Sequence, residues 1–156
     1  MESREGILII GICDDDKSWV QTCKNTLMKF AAFINIDMEI KCFYTSKELL
    51  DYQDIPLDAV FLDIELGRQN GIMIAKKLNR IRPNCRIIYM TNYLHYATEI
   101  YNTEHIWFVV KKQFRDKIGE IINRILHDLE NKTVHLVLKT VNNEIISVIP
   151  SDICYL

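Results

Sequence analysis

The order of strand-like and helical segments predicts an α/β fold: a doubly wound five-stranded parallel sheet with helices on both faces, followed by a C-terminal β-hairpin. Three observations carry this. Apolar runs of strand length alternate with segments of helical periodicity, the pattern that lays crossover helices over a parallel sheet. Four of the runs end in a residue type able to hold or receive a phosphoryl group: Ile7 to Cys13 delivers Asp14-Asp15-Asp16, Ala59 to Leu62 delivers Asp63, Arg86 to Met90 delivers Thr91, and Ile106 to Val110 delivers Lys111. Parallel strands end at one rim, and ligands of such sheets bind in the crevice beyond the carboxyl ends, so the acids, the hydroxyl and the amine are expected to converge.

The elements follow in order. After the first strand and its acidic cluster, Val20, Cys23, Leu27, Phe30, Ala31 and Ile34 recur at helical spacing, with Asp16 or Ser18 available as the cap. Met38 to Tyr44 is rich in strand formers. Thr45-Ser46-Lys47-Glu48 matches a capping box that opens a short helix through Leu50. Pro56 closes that segment and Asp58 to Asp63 is the next strand. Gly67 to Gly71 reads as a loop, and Ile72 to Arg82 as a helix stopped by Pro83. Ile87 to Met90 is a strand, Tyr93 to Tyr101 a short helix dense in aromatics, and Ile106 to Val110 the last strand of the sheet. Ile118, Ile121, Ile122, Ile125 and Leu129 form a long amphipathic final helix. Beyond it, Val134 to Lys139 and Ile145 to Ile149 flank Val141-Asn142-Asn143-Glu144, and paired asparagines tolerate the positive φ of tight hairpin turns. The apolar tail Ile153-Cys154-Tyr155-Leu156 has nothing to cover it, from which the natural protein is expected to continue; a C-terminal hairpin docked on the domain is the plainer alternative.

Composition excludes several classes. The 156 residues suffice for one domain with a full core and the beginning of another. A net charge of −2 gives no basic field for non-specific nucleic-acid binding. No apolar run approaches the roughly 20 residues of a membrane span and no signal core follows the charged start, so a cytosolic protein without membrane contact is expected. The 5 cysteines, Cys13, Cys23, Cys42, Cys85 and Cys154, form no CxxC pair, and the 4 histidines make no metal spacing. Reduced, mostly buried thiols are the expectation.

The chemistry of the rim can be argued from charge. A carboxylate is a feeble nucleophile toward an anionic phosphoryl donor, because like charges repel along the approach. Magnesium takes oxygen ligands in an octahedral array and keeps several waters, so one or two protein carboxylates are enough to seat it. Clustered carboxylates would raise one another's pKa without a cation and without Lys111. Taken singly, three aspartates are often a solvated turn with a helix cap, Thr91 a structural hydroxyl and each tyrosine of 93–101 ordinary half-buried packing. A turn does not explain Asp63 and Lys111 at the same rim.

Residues 7 to about 130 resemble the receiver domain of two-component response regulators. The resemblance rests on Cys13-Asp14-Asp15-Asp16, on Phe61-Leu62-Asp63-Ile64-Glu65, on Thr91 and Lys111 after their strands, and on Gly71 eight positions beyond Asp63. The twenty-residue step from Thr91 to Lys111, with the Tyr96-Ala97 pair inside it, is similar to the LytTR-type subfamily. The resemblance implies a flavodoxin-like fold and a phosphoacceptor signalling domain, not an enzyme beyond Mg-dependent self-phosphorylation and slow autodephosphorylation. It implies Asp63 as acceptor and ligand of Mg2+ (or Mn2+), Asp15 as direct ligand, Asp14 acting through water, and the backbone carbonyl of Glu65 completing the set. Lys111 would pair with Asp63 and then with a phosphoryl oxygen, while Thr91 donates to the phosphoryl group and Phe108 turns inward. A cognate histidine kinase is the implied partner, and a homodimer through the 93–129 face the implied response. Leu138-Lys139 and Ile153-Cys154-Tyr155-Leu156 resemble the opening of a LytTR DNA-binding domain. The expected division is therefore a receiver over 1–130 and, over 131–156, a linker with the incomplete start of a domain through which alone the protein would reach DNA to control transcription.

Two positions depart from the family pattern. Lys112 stands where a proline usually follows the lysine, which leaves the aim of Lys111 open, with Lys112 as a stand-in. Gly67 replaces a proline common after the acceptor aspartate, which would loosen that loop. The departures keep two alternatives in view: a phosphorylation-independent receiver-like interaction module, and a magnesium-dependent phosphatase with an aspartyl intermediate, for which Glu65 would be the general acid but no cap or insertion supplies a substrate pocket.

Overall fold

The computed structural model describes residues 6–141, and their side chains over 6–131. The chain divides into two units, Met1–Ile121 and Ile122–Leu156, and the sheet lies wholly in the first. Five parallel strands form it: β1 (Ile7–Cys13), β2 (Asp37–Phe43), β3 (Ala59–Asp63), β6 (Arg86–Thr91) and β7 (Trp107–Val110), in the spatial order β2-β1-β3-β6-β7. Two two-residue strands between β3 and β6, β4 (Glu65–Leu66) and β5 (Gln69–Asn70), pair with each other antiparallel. The helices are α1 (Lys17–Phe33), α2 (Ser46–Asp51), α3 (Gly71–Ile81) and α4 (Phe114–Val141), with short 3-10 turns at Leu94–Thr98 and Lys111–Gln113. The five-stranded doubly wound sheet expected from the sequence is present.

Every residue of β3 and β6 is buried, as a central parallel strand with both faces covered requires. Alternation sorts their side chains. Val60, Leu62, Ile87 and Tyr89 join Leu49, Leu57, Ala75 and Leu78 in one core cluster. Phe61 points the other way and meets Phe114 edge-on at 5.5 Å, and Phe114 meets Trp19 edge-on at 5.5 Å. This trio ties the start of α4 to α1 across the sheet.

Local signals explain most boundaries. Asp16 caps α1, its carboxylate accepting the Trp19 N–H at 3.1 Å. Thr45 and Glu48 form the expected capping box of α2. Helix α1 stops for a reason the periodicity does not announce: Asn35 takes φ +61°, its N–H donates to the Ala32 carbonyl and the Ile36 N–H to that of Ala31. These bonds satisfy the last carbonyls of the helix in a Schellman motif, and asparagine is the residue after glycine that best tolerates the left-handed region.

Four details differ from the sequence expectation. The loop at 67–71 is a tight hairpin: Gly67, at φ +61°, takes the first of two turn positions between β4 and β5, where the fixed negative φ of proline would not fit. Glycine there tightens the segment instead of loosening it. The helix expected over Tyr93 to Tyr101 shrinks to the 3-10 turn Leu94–Thr98, which buries none of its residues, and a short helix without a buried stripe has little to stabilise it. The final helix begins at Phe114, before the expected Ile118. It also runs through Val141, across the Val134 to Lys139 segment expected as the first hairpin strand, because each residue added to a formed helix gains a hydrogen bond at little further cost, which outweighs the weak strand preference of that segment. The rest of the expected hairpin lies outside the described residues. Among the described residues no helix is long and apolar enough to cross a membrane.

Gly71 fixes the backbone at the acceptor strand. A Cβ on it would lie 2.2 Å from the Asp63 carbonyl oxygen and 2.8 Å from the Ile64 Cα, while its N–H donates to the Ile64 carbonyl at 2.7 Å. Backbone cannot yield as a side-chain tip can. Gly71→Ala is expected to destabilise the fold by about 3 kcal/mol, the upper part of the range for overpacking, as read in urea unfolding; a change below about 1 kcal/mol would show that this contact is not rigid.

Candidate phosphoacceptor site

The strand register sets the site. β1 and β3 are neighbours whose connections leave in opposite directions, the switch point at which doubly wound sheets bind ligands. Cys13 lies level with Leu62, Asp63 with Met90, Met90 with Val109, and Thr91 with Val110. Asp14, Asp63, Thr91 and Lys111 therefore emerge within one or two residues of the same level, and all four are buried. Of the clustered aspartates, Asp15 is exposed, and ligand atoms of Asp14, Asp15 and Asp63 lie within 4.8 Å of one another. The convergence expected from the strand ends is what the fold produces for these carboxylates and for the ammonium.

Lys111 is aimed between two of the acids. Its Nζ lies 2.6 Å from Asp14 Oδ2 and 3.5 Å from Asp63 Oδ2. No cis peptide occurs among the described residues, so the Lys111-Lys112 bond is trans and still delivers the amine; Lys112 is exposed. The Trp19 ring lies 5.4 Å from the ammonium, and the Trp19 indole N–H donates to the Met90 sulfur at 3.4 Å, so the aromatic trio under the site also walls the lysine.

The electrostatics are those of crowded carboxylates. Burial first, and the charge of Asp14 second, push the Asp63 carboxyl up to about 7, against the pull of Lys111 and the Glu65 N–H. Burial alone would lower the Lys111 ammonium, but contact with Asp14 and the charges of Asp63 and Asp14 outweigh it and lift Lys111 above its ordinary value. The Cys13 thiol, 0% exposed beside these acids, is pushed well above its usual range by burial and then by Asp14 and Asp63. It is a core residue, as the sequence suggested, and cannot supply a thiolate near neutral pH.

The donors around the acids are few. Asp14 Oδ1 accepts the Asp16 N–H at 2.9 Å and Asp63 Oδ1 accepts the Glu65 N–H at 3.2 Å. Asp14 Oδ2 is different: it is ion-paired to Lys111 at 2.6 Å yet accepts no hydrogen bond of proper alignment. A buried carboxylate oxygen of Asp14 with uncommitted lone pairs, with the carboxylates of Asp15 and Asp63 within reach, forms an all-oxygen donor set that fits a hard divalent cation. Among the described residues no other group of three or more acidic, histidine or cysteine side chains offers this.

Thr91 Oγ1 accepts the Tyr93 N–H at 3.1 Å, which leaves the hydroxyl proton for another acceptor. Two partners were not anticipated. The Tyr96 hydroxyl donates to Glu65 Oε2 at 3.4 Å, tying the 94–98 turn to the loop after β3, and the Tyr89 hydroxyl shares a hydrogen bond with Thr103 at 2.6 Å. The Tyr96 contact spans thirty-one residues, and no spacing rule in a sequence signals it. Phe108 is half-buried and packs against the core cluster.

Comparison with known proteins agrees with this geometry. The sequence model of the response regulator receiver domain matches residues 10–123. The sensory transduction protein LytT of Bacillus subtilis is 26% identical over 131 residues, covering 78% of this chain and 54% of that protein. The sensory transduction protein LytR of Staphylococcus haemolyticus is 28% identical over 74 residues, covering 47% of this chain and 29% of that protein. The chain thus spans between about a quarter and about half of the length of these relatives. Among solved structures, the response regulator TrrA of Thermotoga maritima, in complex with Mg(2+)-BeF, superposes with a TM-score of 0.66 at 24% identity, covering 76% of this chain and 98% of that one. The receiver domain of a putative Luxo repressor protein from Vibrio parahaemolyticus gives 0.69 at 13% identity, over 81% and 95%. At these identities the structures establish the fold alone.

A pH dependence follows from Asp63. Its carboxyl sits at about 7 in the folded protein against about 3.9 in an unfolded chain. Below about pH 4 both states hold the proton; between about 4 and 7 the unfolded chain releases it and the folded one keeps it, so the stability this proton lends is lost as pH rises through 7. Asp63→Asn is expected to stabilise the metal-free protein at pH 8 by on the order of 2 kcal/mol and to change little at pH 4. Urea unfolding at both pH values measures this, and an equal stability of the two proteins at pH 8 would refute the crowding.

Proposed function

The chain belongs to the response regulator receiver-domain family, and from that premise we propose that it is a phosphoacceptor switch, phosphorylated on Asp63 in the presence of Mg2+ by a histidine kinase to control a transcriptional output. The observation that carries this reading is the single ammonium of Lys111 set against Asp14 and Asp63 at 2.6 and 3.5 Å. A lone structural salt bridge needs one acid, not two buried ones with a third at the mouth.

Each residue has a role. Asp63 Oδ is the nucleophile toward phosphorus. Asp14, Asp15 and Asp63, with the backbone carbonyl of Glu65, would hold Mg2+ (or Mn2+), which when bound neutralises the carboxylates and draws charge from the phosphoryl oxygens. Lys111 pairs with Asp63 before transfer and with a phosphoryl oxygen after it. Transfer adds roughly −1.5 to −2 charges at the rim, and the Thr91 hydroxyl is the buried donor that turns to meet them. Its other partner, the Tyr93 N–H, begins the segment carrying exposed Tyr93, Leu94 and Tyr101, so movement of Thr91 would be passed to that surface. The 93–129 segment is accordingly our candidate for contact with a second copy.

The similarity to LytR and LytT proteins supports an output domain beyond residue 130, through which the whole protein would reach DNA. The phosphorylation-independent alternative drew on the residue after Lys111; a trans bond that still brings the amine to both acids favours the acceptor reading over it. The phosphatase alternative is the less favoured of the readings, since between β3 and α3 stands only the short β4-β5 hairpin.

Incubation with Mg2+ and a small phosphodonor is expected to give one phosphoryl adduct by intact mass, absent in Asp63→Asn, with Lys111→Ala slowing its formation about a hundred-fold, the effect of removing one charge-stabilising donor. An unchanged mass under donor excess would favour the phosphorylation-independent module. Steady turnover of unrelated phosphoesters would favour a phosphatase.

A further inference from the structure

β2 is an edge strand of the sheet, with no strand beyond it among the described residues. The direction of its peptide groups is fixed by one bond: the Asp14 N–H donates to the Phe43 carbonyl at 3.0 Å, so Phe43, and by alternation Glu39 and Lys41, turn theirs toward β1. Met38, Ile40 and Cys42 therefore present theirs outward. Among the described residues nothing hydrogen-bonds to those outward groups. A strand in this state is a template for a further strand, and proteins ordinarily blunt it with a proline or a bulge. β2 has neither: its seven residues contain no proline, and they pair with β1 without a break from Asp37 to Phe43.

The side chains along this edge are self-complementary. Glu39 and Lys41 stand on one face of the strand, ion-paired within the chain at 2.6 Å, with 42% and 32% of their side chains exposed. A two-fold axis through Ile40 would set two β2 strands antiparallel, with Glu39 of each copy opposite Lys41 of the other at the closely approaching positions. Ile40 would then face Ile40, and Met38 face Cys42, with both backbone bonds exchanged at each pair. Other registers fail on charge. An axis at Glu39 or at Lys41 puts like charges face to face, one at Met38 sets Glu39 against Asp37, and one at Cys42 leaves Glu39 and Lys41 opposite Thr45 and Phe43.

The other face of the strand adds an apolar flank. Phe43 belongs to the core cluster on one side of the sheet, so Cys42 points to the opposite side. Burial raises the Cys42 thiol and the Lys24 charge opposes it, which marks the Lys24 flank of α1 as the one beside β2; Thr22, Thr26 and Phe30 line the other flank with Arg115. Met28, one turn after Lys24 on the same flank, is 41% exposed. Since α1 runs back against the strands, a rise of about 1.5 Å per helical residue and about 3.3 Å per strand residue sets Met28 near the level of Ile40. It would meet its own symmetry mate there.

We propose that the β2 edges of two copies of this chain pair antiparallel about Ile40 and continue one sheet across a dimer. The partner is a second copy because the charge pattern of the edge is complementary to its own reverse, as an isologous contact requires. The interface lies at the sheet edge opposite β7, and it is independent of the acceptor reading of Asp63 and of the 93–129 segment.

The test swaps the charges. The whole chain, without phosphodonor or Mg2+, is followed by sedimentation equilibrium as the wild type, Glu39→Lys, Lys41→Glu, the double variant, and an equal mixture of the two single variants. The wild type is expected to dimerise reversibly with concentration. Each single variant sets like charges opposite one another at both symmetric positions and is expected to raise the dissociation constant about ten-fold. In the mixture a basic edge faces an acidic one, and in the double variant the opposite charges are restored, so both are expected to return to the wild-type constant. Amide exchange gives a second readout: Met38, Ile40 and Cys42 are expected to exchange freely in dilute protein and slowly in concentrated protein. Sedimentation as a monomer at every concentration, dimerisation indifferent to both single variants, or a mixture no tighter than its components would overturn the edge pairing. So would slow exchange of those three amides in the monomer, which would mean that the chain covers its own edge.

Discussion

Two buried carboxylates share one ammonium at the end of the sheet, and the rest of the site follows from that imbalance. Asp14 and Asp63 are both withdrawn from water, so each disfavours the charge of the other. Lys111, 2.6 Å from one and 3.5 Å from the other, relieves the repulsion without cancelling it. The residue of the conflict is visible in the Asp63 carboxyl, which burial and the charge of Asp14 push up to about 7. It is visible again in an Asp14 oxygen that contacts a cation but accepts no aligned hydrogen bond. A pocket in this condition gains from any added positive charge, and charge added there as a phosphoryl group must find new donors.

The fold holds the conflict in place by making the surrounding backbone unyielding. β3 is buried along its whole length between β1 and β6, so Asp63 cannot swing toward solvent with its strand. Behind it, the Gly71 backbone comes so near the Asp63 carbonyl that a Cβ would lie 2.2 Å from its oxygen. Below, Phe61, Phe114 and Trp19 pack edge to face, and Trp19 carries that packing up to Lys111 and Met90. Against these rigid strand ends and the anchored lysine, the 94–98 turn buries none of its residues and β5 of the hairpin is exposed.

Those exposed segments are also where the chain departs from the sequence expectation. Gly67 turns the β4-β5 hairpin toward Asp15, and the Tyr96-to-Glu65 hydrogen bond fastens the 94–98 turn to the β4 strand of the same hairpin.

The five strands, the helices that cover them and the rim acids were legible in the sequence because each depends on a local rule. Burial on both faces demands continuous apolar runs, a capping box needs only Thr45 and Glu48, and strands of one direction must end together. Asp14, Asp15, Asp63, Thr91 and Lys111 could be named on that basis. What the sequence could not determine depends on pairs distant in the chain or on competition between weak preferences. The stop of α1 turned on the φ of Asn35, and the 93–101 segment lost its helix for want of a buried face. Strand formers at 134–139 yielded to a helix already under way. The aim of Lys111 through a trans bond was likewise beyond reach, since the direction of a flexible ammonium is set by the charges and rings packed around it. Sequence alone fixes which groups arrive at the rim, because strand polarity does that; only the tertiary structure decides which of them are dry, which face water and which stand unpaired, because desolvation and distance exist only once the chain has closed.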